Sequence, residues 1–241
     1  MRGNMYVSLS GELALEKRLD TVATNLANVN TGGYRAQGVS FASLVSKVGE
    51  RPAAFVTTGA DYISRAQGAA QQTGNPFDVA IQGDSWFAIK TPDGTAYTRD
   101  GRFQMAESGQ LQTINGYPVL DAGGASMLLA ADGGAPKIAS DGMITQGGNQ
   151  IGAIGLFTLP DDATLSRYDN SAVVPSKPGI PVLDFARNTV AQGFAEGSNV
   201  NPVLEITKMI QIQRAFDGLI NLQQTAESSQ QDAIKTLGSS S

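Results

Sequence analysis

Residues 15–29, LEKRLDTVATNLANV, place Leu15, Leu19, Val22, Leu26 and Val29 at steps of 4, 3, 4 and 3. That is heptad spacing, which lines one face of a helix. It predicts a helix from about Met5 to Asn28, with Leu9 and Leu13 slightly out of phase so that the apolar face broadens toward the start. Such a seam cannot be covered by its own helix, so it calls for a partner helix from the same chain or from another copy. The far end of the chain repeats the demand. Ile206, Met209, Phe216, Ile220, Ile234 and Leu237 share one heptad frame, while Ile212, Ala215, Leu219, Leu222 and Ala226 form a second stripe. Two apolar faces on one helix call for two sets of neighbours. Asn201 followed by Pro202 suits the start of this helix: Asn caps the free N–H groups, and proline has no N–H to leave unpaired.

Between the ends the period changes. After the first helix, Asn25, Asn28 and Asn30 lead into Thr31-Gly32-Gly33-Tyr34. Asn and Gly tolerate the left-handed conformation of a helix stop, although three asparagines exceed what one cap needs, and a wider role in subunit contacts stays open beside it. Residues 35–73 carry no low-complexity repeat or charge run; Phe41, Leu44, Val45 and Val48 suggest a short further helix there. From Phe77 the alternation is two-fold: Phe77, Val79 and Ile81, then Phe87 and Ile89 on one face. Turns are expected at Asp93-Gly94, Asp100-Gly101, Ser108-Gly109 and Asn115-Gly116, where Asp-Gly and Asn-Gly supply the positive φ of tight hairpins. A second β region follows, with turns at Asp132-Gly133 and Asp141-Gly142. Pro160, Pro175, Pro178 and Pro181 then punctuate an irregular stretch.

Composition removes most chemistry. The 241 residues contain neither cysteine nor histidine, which excludes disulfides, Cys/His zinc sites, thiol nucleophiles and His-based triads. A net charge of −5 with no basic cluster argues against nucleic acid. Charged residues make up only 16%, which with abundant Gly, Ser, Gln and Asn fits a loop-rich β body or a surface meant to be buried in an assembly. No stretch approaches the roughly 20 apolar residues of a membrane span. The start is amphipathic and not continuously apolar, so a cleaved secretion signal is not expected. Asp161-Asp162 point to opposite sides of an extended chain and read as a solvated turn, not a glycosidase pair. The Asp-Gly pairs lack the ligand cluster of a calcium loop, and Gly147 to Gly155 match no nucleotide-binding fingerprint. Trp86 reads as packing.

Three segments resemble the bacterial flagellar axial proteins that build the rod and hook. The first runs from Leu19 through Asn25-Leu26-Ala27-Asn28-Val29-Asn30-Thr31-Gly32-Gly33-Tyr34-Arg35. The second is Thr73-Gly74-Asn75-Pro76-Phe77-Asp78-Val79-Ala80-Ile81-Gln82-Gly83-Asp84-Ser85-Trp86-Phe87, continuing through Tyr97-Thr98-Arg99-Asp100-Gly101 to Gly116-Tyr117-Pro118-Val119-Leu120. The third is Glu196-Gly197-Ser198-Asn199-Val200-Asn201 with Met209-Ile210-Gln211-Ile212-Gln213-Arg214-Ala215-Phe216. They cover about half the chain, in order. Ser85 stands where many relatives carry glycine. The length and the absence of a large inserted domain disfavour a hook protein, while Met5-Tyr6-Val7-Ser8-Leu9-Ser10 and Asp84-Ser85-Trp86-Phe87 most resemble the proximal rod protein, with the distal one as competitor. A secreted β-rich binding module is the alternative from another class, and a wall-degrading enzyme has only scattered carboxylates in its favour.

The expected fold is therefore α+β: long N- and C-terminal helices forming a coiled-coil layer, with a central antiparallel β-rich domain. The expected segments are 1–34 (assembly helix and Asn-rich motif), 35–73 (extended connector), 74–192 (outer β domain) and 193–241 (C-terminal assembly helix). The resemblance implies export through the flagellar type III apparatus without signal cleavage. It also implies assembly with itself and with other rod proteins into a helical tube that carries motor torque across the periplasm. Subunit contacts are expected at Leu15, Leu19, Val22, Leu26 and Val29, at Asn25, Asn28, Asn30, Gly33 and Tyr34, at Asn199 and Asn201, and at Ile206, Met209, Ile210, Phe216 and Ile220. No catalytic residue, cofactor, metal, nucleic acid or small-molecule substrate is expected.

Overall fold

The computed structural model describes residues 2–46, 53–56 and 59–238, with the side chains at 2–6, 43–46, 53–56, 226, 230, 233, 234, 236 and 237 outside that description. The chain is α+β, with one helix at each end and antiparallel strands between them. It divides into two compact units: residues 1–26, 37–61 and 201–241 form the first, and residues 27–36 and 62–200 the second.

The first unit holds both helices, α1 (Arg2–Ala27) and α2 (Pro202–Gly238). The cap at Asn201 forms as its sequence suggests: Oδ1 accepts from Leu204 N at 3.2 Å, and the main-chain carbonyl accepts from Glu205 N at 3.0 Å. Among the described residues the helices approach each other near Asn25 and near Gly11. Asn25 Nδ2 donates to Glu205 Oε2 at 3.2 Å, and a Cβ built on Gly11 would lie 3.7 Å from Leu219 Cδ1. Walking back from Asn25 to Gly11 covers the same number of residues as walking forward from Glu205 to Leu219, so the two run antiparallel. The helix expected around Phe41 to Val48 is not formed. Ser43–Ser46 is a strand paired with Ala53–Val56, and Val48 lies outside the described residues. Ser40 and Ser43 suit a helix start, but the ladder with Ala53–Val56 takes the backbone hydrogen bonds and holds the stretch as a strand.

The second unit is built on a six-stranded sheet in the spatial order Leu165–Tyr168, Ala172–Pro175, Gly94–Thr98, Ser85–Thr91, Leu156–Thr158, Ile180–Pro181. Its central strand, Ser85–Thr91, is buried on both faces, which is more than the one-sided alternation of Phe87 and Ile89 suggested. Phe87 packs on Val79, Phe103, Leu111, Val119 and Ile144 in the main core, its ring 5.0 Å from that of Phe103 in an edge-to-face arrangement. Trp86 and Ala88, on the opposite face, join Tyr97, Phe157 and Val173. Trp86 is thus a core side chain.

Positive φ occurs at Gly94, Gly109, Gly116 and Gly142, the turns expected from sequence. Asp100-Gly101 is different, because both residues are buried and no tight hairpin forms there. A Cβ on Gly101 would fall 1.7 Å from the Val79 carbonyl oxygen, so glycine is needed here for close approach of two backbones and not for turning. Ser85 is fully buried and its hydroxyl has no hydrogen-bond partner. Removing that hydroxyl removes an uncompensated desolvation cost, so Ser85→Ala is expected to raise stability by about 1 kcal/mol. An unchanged or lowered urea midpoint would count against this.

Candidate functional site

A buried charged cluster in the second unit centres on Glu196, 2% exposed, which ends the strand Phe194–Glu196. Its Oε1 accepts from Arg35 Nη2 at 2.6 Å and from Gly68 N at 2.7 Å, and its Oε2 accepts from Arg99 Nε at 2.8 Å. Its main-chain carbonyl accepts from Gly33 N at 2.8 Å. One carboxylate therefore joins the end of the Asn-rich motif, the segment before the first paired strand of the β unit, and the strand end at Arg99.

Each guanidinium does further work. Arg99 Nη1 donates to the carbonyls of Gly83, at 2.7 Å, and Ser85, and Nη2 reaches Ile81 O at 3.3 Å, which satisfies acceptors where the chain turns between adjacent strands. Arg35 Nη1 donates to Ala66 O at 2.7 Å, and its guanidinium carbon lies 5.5 Å from the centre of the Trp86 ring. Burial pulls the Arg35 pKa down to about 10 and Arg99 down as well; Glu196 opposes that shift in both, and the two cations repel each other. The ionised cluster is thus held in spite of desolvation, and the single carboxylate is what makes two buried cations tolerable. Next to it, Arg167 stacks on the fully buried Tyr34 ring at 4.2 Å and donates to Arg35 O.

Asn199 adds a neutral clasp. Its Oδ1 accepts from Ala36 N at 2.7 Å, its Nδ2 donates to Ala66 O at 2.7 Å and to Ser64 Oγ at 3.3 Å, and its main-chain N donates to Tyr34 O at 3.2 Å. Gly33 has φ of 65°, and a Cβ there would meet Asp100 N at 2.2 Å. The residues expected at subunit contacts therefore fall into two groups. Asn25, Gly33, Tyr34 and Asn199 have partners within their own units, and Val22 is buried. Asn28 Oδ1 accepts from Thr31 Oγ1 at 3.0 Å, and Asn30 is exposed.

The helices supply the second group. Leu15, Leu19, Leu26 and Val29 are half-buried, as are Met209 and Phe216, whereas Ile206, Ile210 and Ile220 are exposed, at 47%, 45% and 48%. Val203, Leu204 and Leu222 are exposed further still, and Asn201 stands in solvent at the helix start. Of the second stripe, Ile212 is buried, Leu219 half-buried and Ala215 exposed. Arg35, Arg99, Glu196 and Glu205 were not among the residues that sequence reasoning marked. Among the described residues no group of carboxylates could hold a metal ion, and no helix is long and apolar enough to cross a membrane.

Loss of Glu196 leaves two neighbouring guanidiniums buried without a counter-charge. Glu196→Ala is expected to cost the second unit about 3–5 kcal/mol. Replacing all three members by apolar residues (R35M, R99M and E196L together) removes the buried charges but strips Ala66 O, Gly83 O, Ser85 O, Ile81 O and Gly68 N of these partners, so it is expected to cost at least as much as the single change. Urea unfolding midpoints of the single and triple variants decide it; a single variant as stable as the parent would be the contrary result.

Comparison with known proteins places this geometry. Residues 5–35 match the model for the flagella basal body rod protein, residues 80–164 that for the flagellar hook protein FlgE/F/G D1 domain, and residues 191–236 that for the C-terminal region of the flagellar basal body rod FlgEFG proteins. Over its whole length the chain is 51% identical to the whole of the flagellar basal-body rod protein FlgF of Mesorhizobium japonicum and 45% identical to the whole of that of Rhizobium meliloti. It is 31% identical to the rod protein FlgG of Bacillus subtilis over 97% of this chain and 98% of the other. The three matched regions contain Arg35, Arg99 and Glu196 respectively, so each contributes one member of the buried cluster. The chain belongs to the flagellar basal-body rod protein family.

Proposed function

We propose that this protein is a structural subunit of the proximal flagellar rod, which polymerises through its terminal helices into a helical tube that transmits motor torque. The observation that carries the reading is the apolar surface of α2: Val203, Leu204, Ile206, Ile210, Ile220 and Leu222 are each at least 45% exposed on a helix of 37 residues. A monomeric protein rarely leaves so many large aliphatic side chains along one element in water. Covering them against neighbouring copies, together with the half-buried Leu15, Leu19, Leu26, Val29, Met209 and Phe216, supplies the driving force for assembly. In that arrangement α1 and α2 form a coiled-coil layer lining the tube, and the β unit forms its outer layer.

Val22, Asn25, Gly33, Tyr34 and Asn199 support assembly from within, by fixing the shape of the parts that meet. Asn28, Asn30 and Asn201 lie at the rim of the contact. Head-to-tail contacts that do not close on themselves give an open filament, which is what a rod requires. The subunit reaches its place through the flagellar export apparatus and joins other rod proteins of its family in the basal body.

Replacing Ile206, Ile210 and Ile220 together by serine is expected to abolish incorporation into purified basal bodies and to abolish swimming, with the urea unfolding midpoint of the β unit unchanged. Normal motility and normal incorporation of that triple variant would refute the reading.

A further inference from the structure

Apolar side chains recur in nearly every turn of both terminal helices: Leu9, Leu13, Leu15, Leu19, Val22 and Leu26 on α1, and Ile206, Met209, Ile212, Phe216, Leu219 and Leu222 on α2. Sliding one helix along the other by a turn would therefore bury a similar apolar surface. A seam of this kind attracts, but it does not choose an alignment.

Two buried polar residues break the degeneracy. Asn25 is 2% exposed and Glu205 is 4% exposed. The Asn25 amide is used on both sides: Oδ1 accepts from Gln37 N at 2.8 Å, while Nδ2 donates to Gln37 O at 2.9 Å and to Glu205 Oε2 at 3.2 Å. Lys208 Nζ donates to the other carboxylate oxygen, Oε1, at 2.6 Å. Asn25 is itself held in place by the Gln37 backbone, so it presents its N–H to a single position on α2.

We propose that the Asn25–Glu205 hydrogen bond is the register pin of the terminal helix pair, the determinant that selects one antiparallel alignment of α1 and α2 from those the apolar residues allow. This rests on the reading that the two helices pair in the assembling subunit. A slide of one turn moves Glu205 away from Asn25, toward Thr21 or past the end of α1, and leaves one Asn25 N–H and one Glu205 oxygen buried without each other. An unpaired buried polar group costs more than the bond gains when made, which is why a single buried polar position can fix register in a helix pair. The alignment in turn decides which aliphatic residues of α2 remain outward for neighbouring copies.

The natural chain has no cysteine, so thiol crosslinking reads the alignment without background. In the full-length chain at low concentration, Gly11→Cys is combined with Leu219→Cys for the observed register, and with Ala215→Cys or Gln223→Cys for registers slipped by a turn either way. With Asn25 and Glu205 intact, a short bis-maleimide is expected to give roughly ten-fold more intramolecular product with Leu219→Cys than with either slipped partner. Adding Glu205→Leu or Asn25→Leu is expected to bring the three yields close together, and Glu205→Gln, whose side-chain carbonyl still accepts from Asn25, to preserve the preference. An unchanged preference in both leucine variants would overturn the pin while leaving helix pairing intact. Loss of all crosslinking in Glu205→Leu would also overturn it, because Glu205 would then be needed for the pairing itself and not for its alignment. Absence of any preference with the native pair would instead refute the pairing on which the proposal stands.

Discussion

A single carboxylate, Glu196, faces two guanidiniums in the interior of the β unit, and the order of three distant segments depends on it. Arg35 brings the end of the N-terminal motif, Arg99 the strand end of the central sheet, and Gly68 N the segment before the first paired strand. Desolvation works against both cations, so the ion pairing itself is a weak source of net stability. Its value lies in direction. An apolar plug accepts many packings, whereas these donors and acceptors are satisfied in one arrangement. Tyr34, with Arg167 stacked on it, and Asn199, clasping Ala36 and Ala66, extend the same specification outward.

The two units differ in how far they close a core, although the β unit too exposes Leu128, Ile180 and Leu183. The β unit closes its own core: Val79, Phe87, Leu111, Val119, Ile144 and Leu156 lie at or below 2% exposure. The helical unit leaves Leu9, Leu13, Ile206, Ile210, Ile220 and Leu222 near half exposure or beyond. Helices gain most of their stability from packing an apolar face, not from intrinsic propensity. In the proposed assembly, a unit with so much of that face open gains its remaining stability from neighbours. The antiparallel approach at Asn25–Glu205 and Gly11–Leu219 covers only part of it.

Both helices, the Asn201 cap and most hairpin turns were legible because each rests on local signals: heptad spacing, Asn before Pro, and glycines whose φ is positive. The stretch after Phe41 differs from its expected helix because the spacing of Phe41, Leu44, Val45 and Val48 fits a helix turn as well as a short strand, and only pairing with Ala53–Val56 decides between them. Asp100-Gly101 misled for another reason. The dipeptide that usually turns a hairpin here serves the close passage of Val79 O. The buried cluster was invisible to periodicity, since nothing local shows that Glu196 meets Arg35 and Arg99. A signal did exist. Each of the three segments carrying the family resemblance contains one charged member of the cluster, and a charge embedded among Gly, Tyr, Thr and Asn is a candidate for burial.

In the proposed assembly, the exposed isoleucines and leucines of α2 stay in water until a neighbour covers them, and the remaining composition of α2 suits both demands. Between the aliphatic positions stand Gln211, Gln213, Gln223, Gln224, Ser228, Ser229 and Gln231, and uncharged polar residues outnumber the seven charged ones along α2. Amides and hydroxyls keep the helix hydrated, yet they lose far less on leaving water than ammonium or carboxylate groups do. They also find hydrogen-bond partners across an interface without demanding a fixed counter-charge. A helix rich in Lys and Glu would be more soluble but would resist burial at every turn. The low charge of the chain, the glutamine-rich helix and the outward aliphatic residues are thus one physical solution to a surface that begins wet and ends dry.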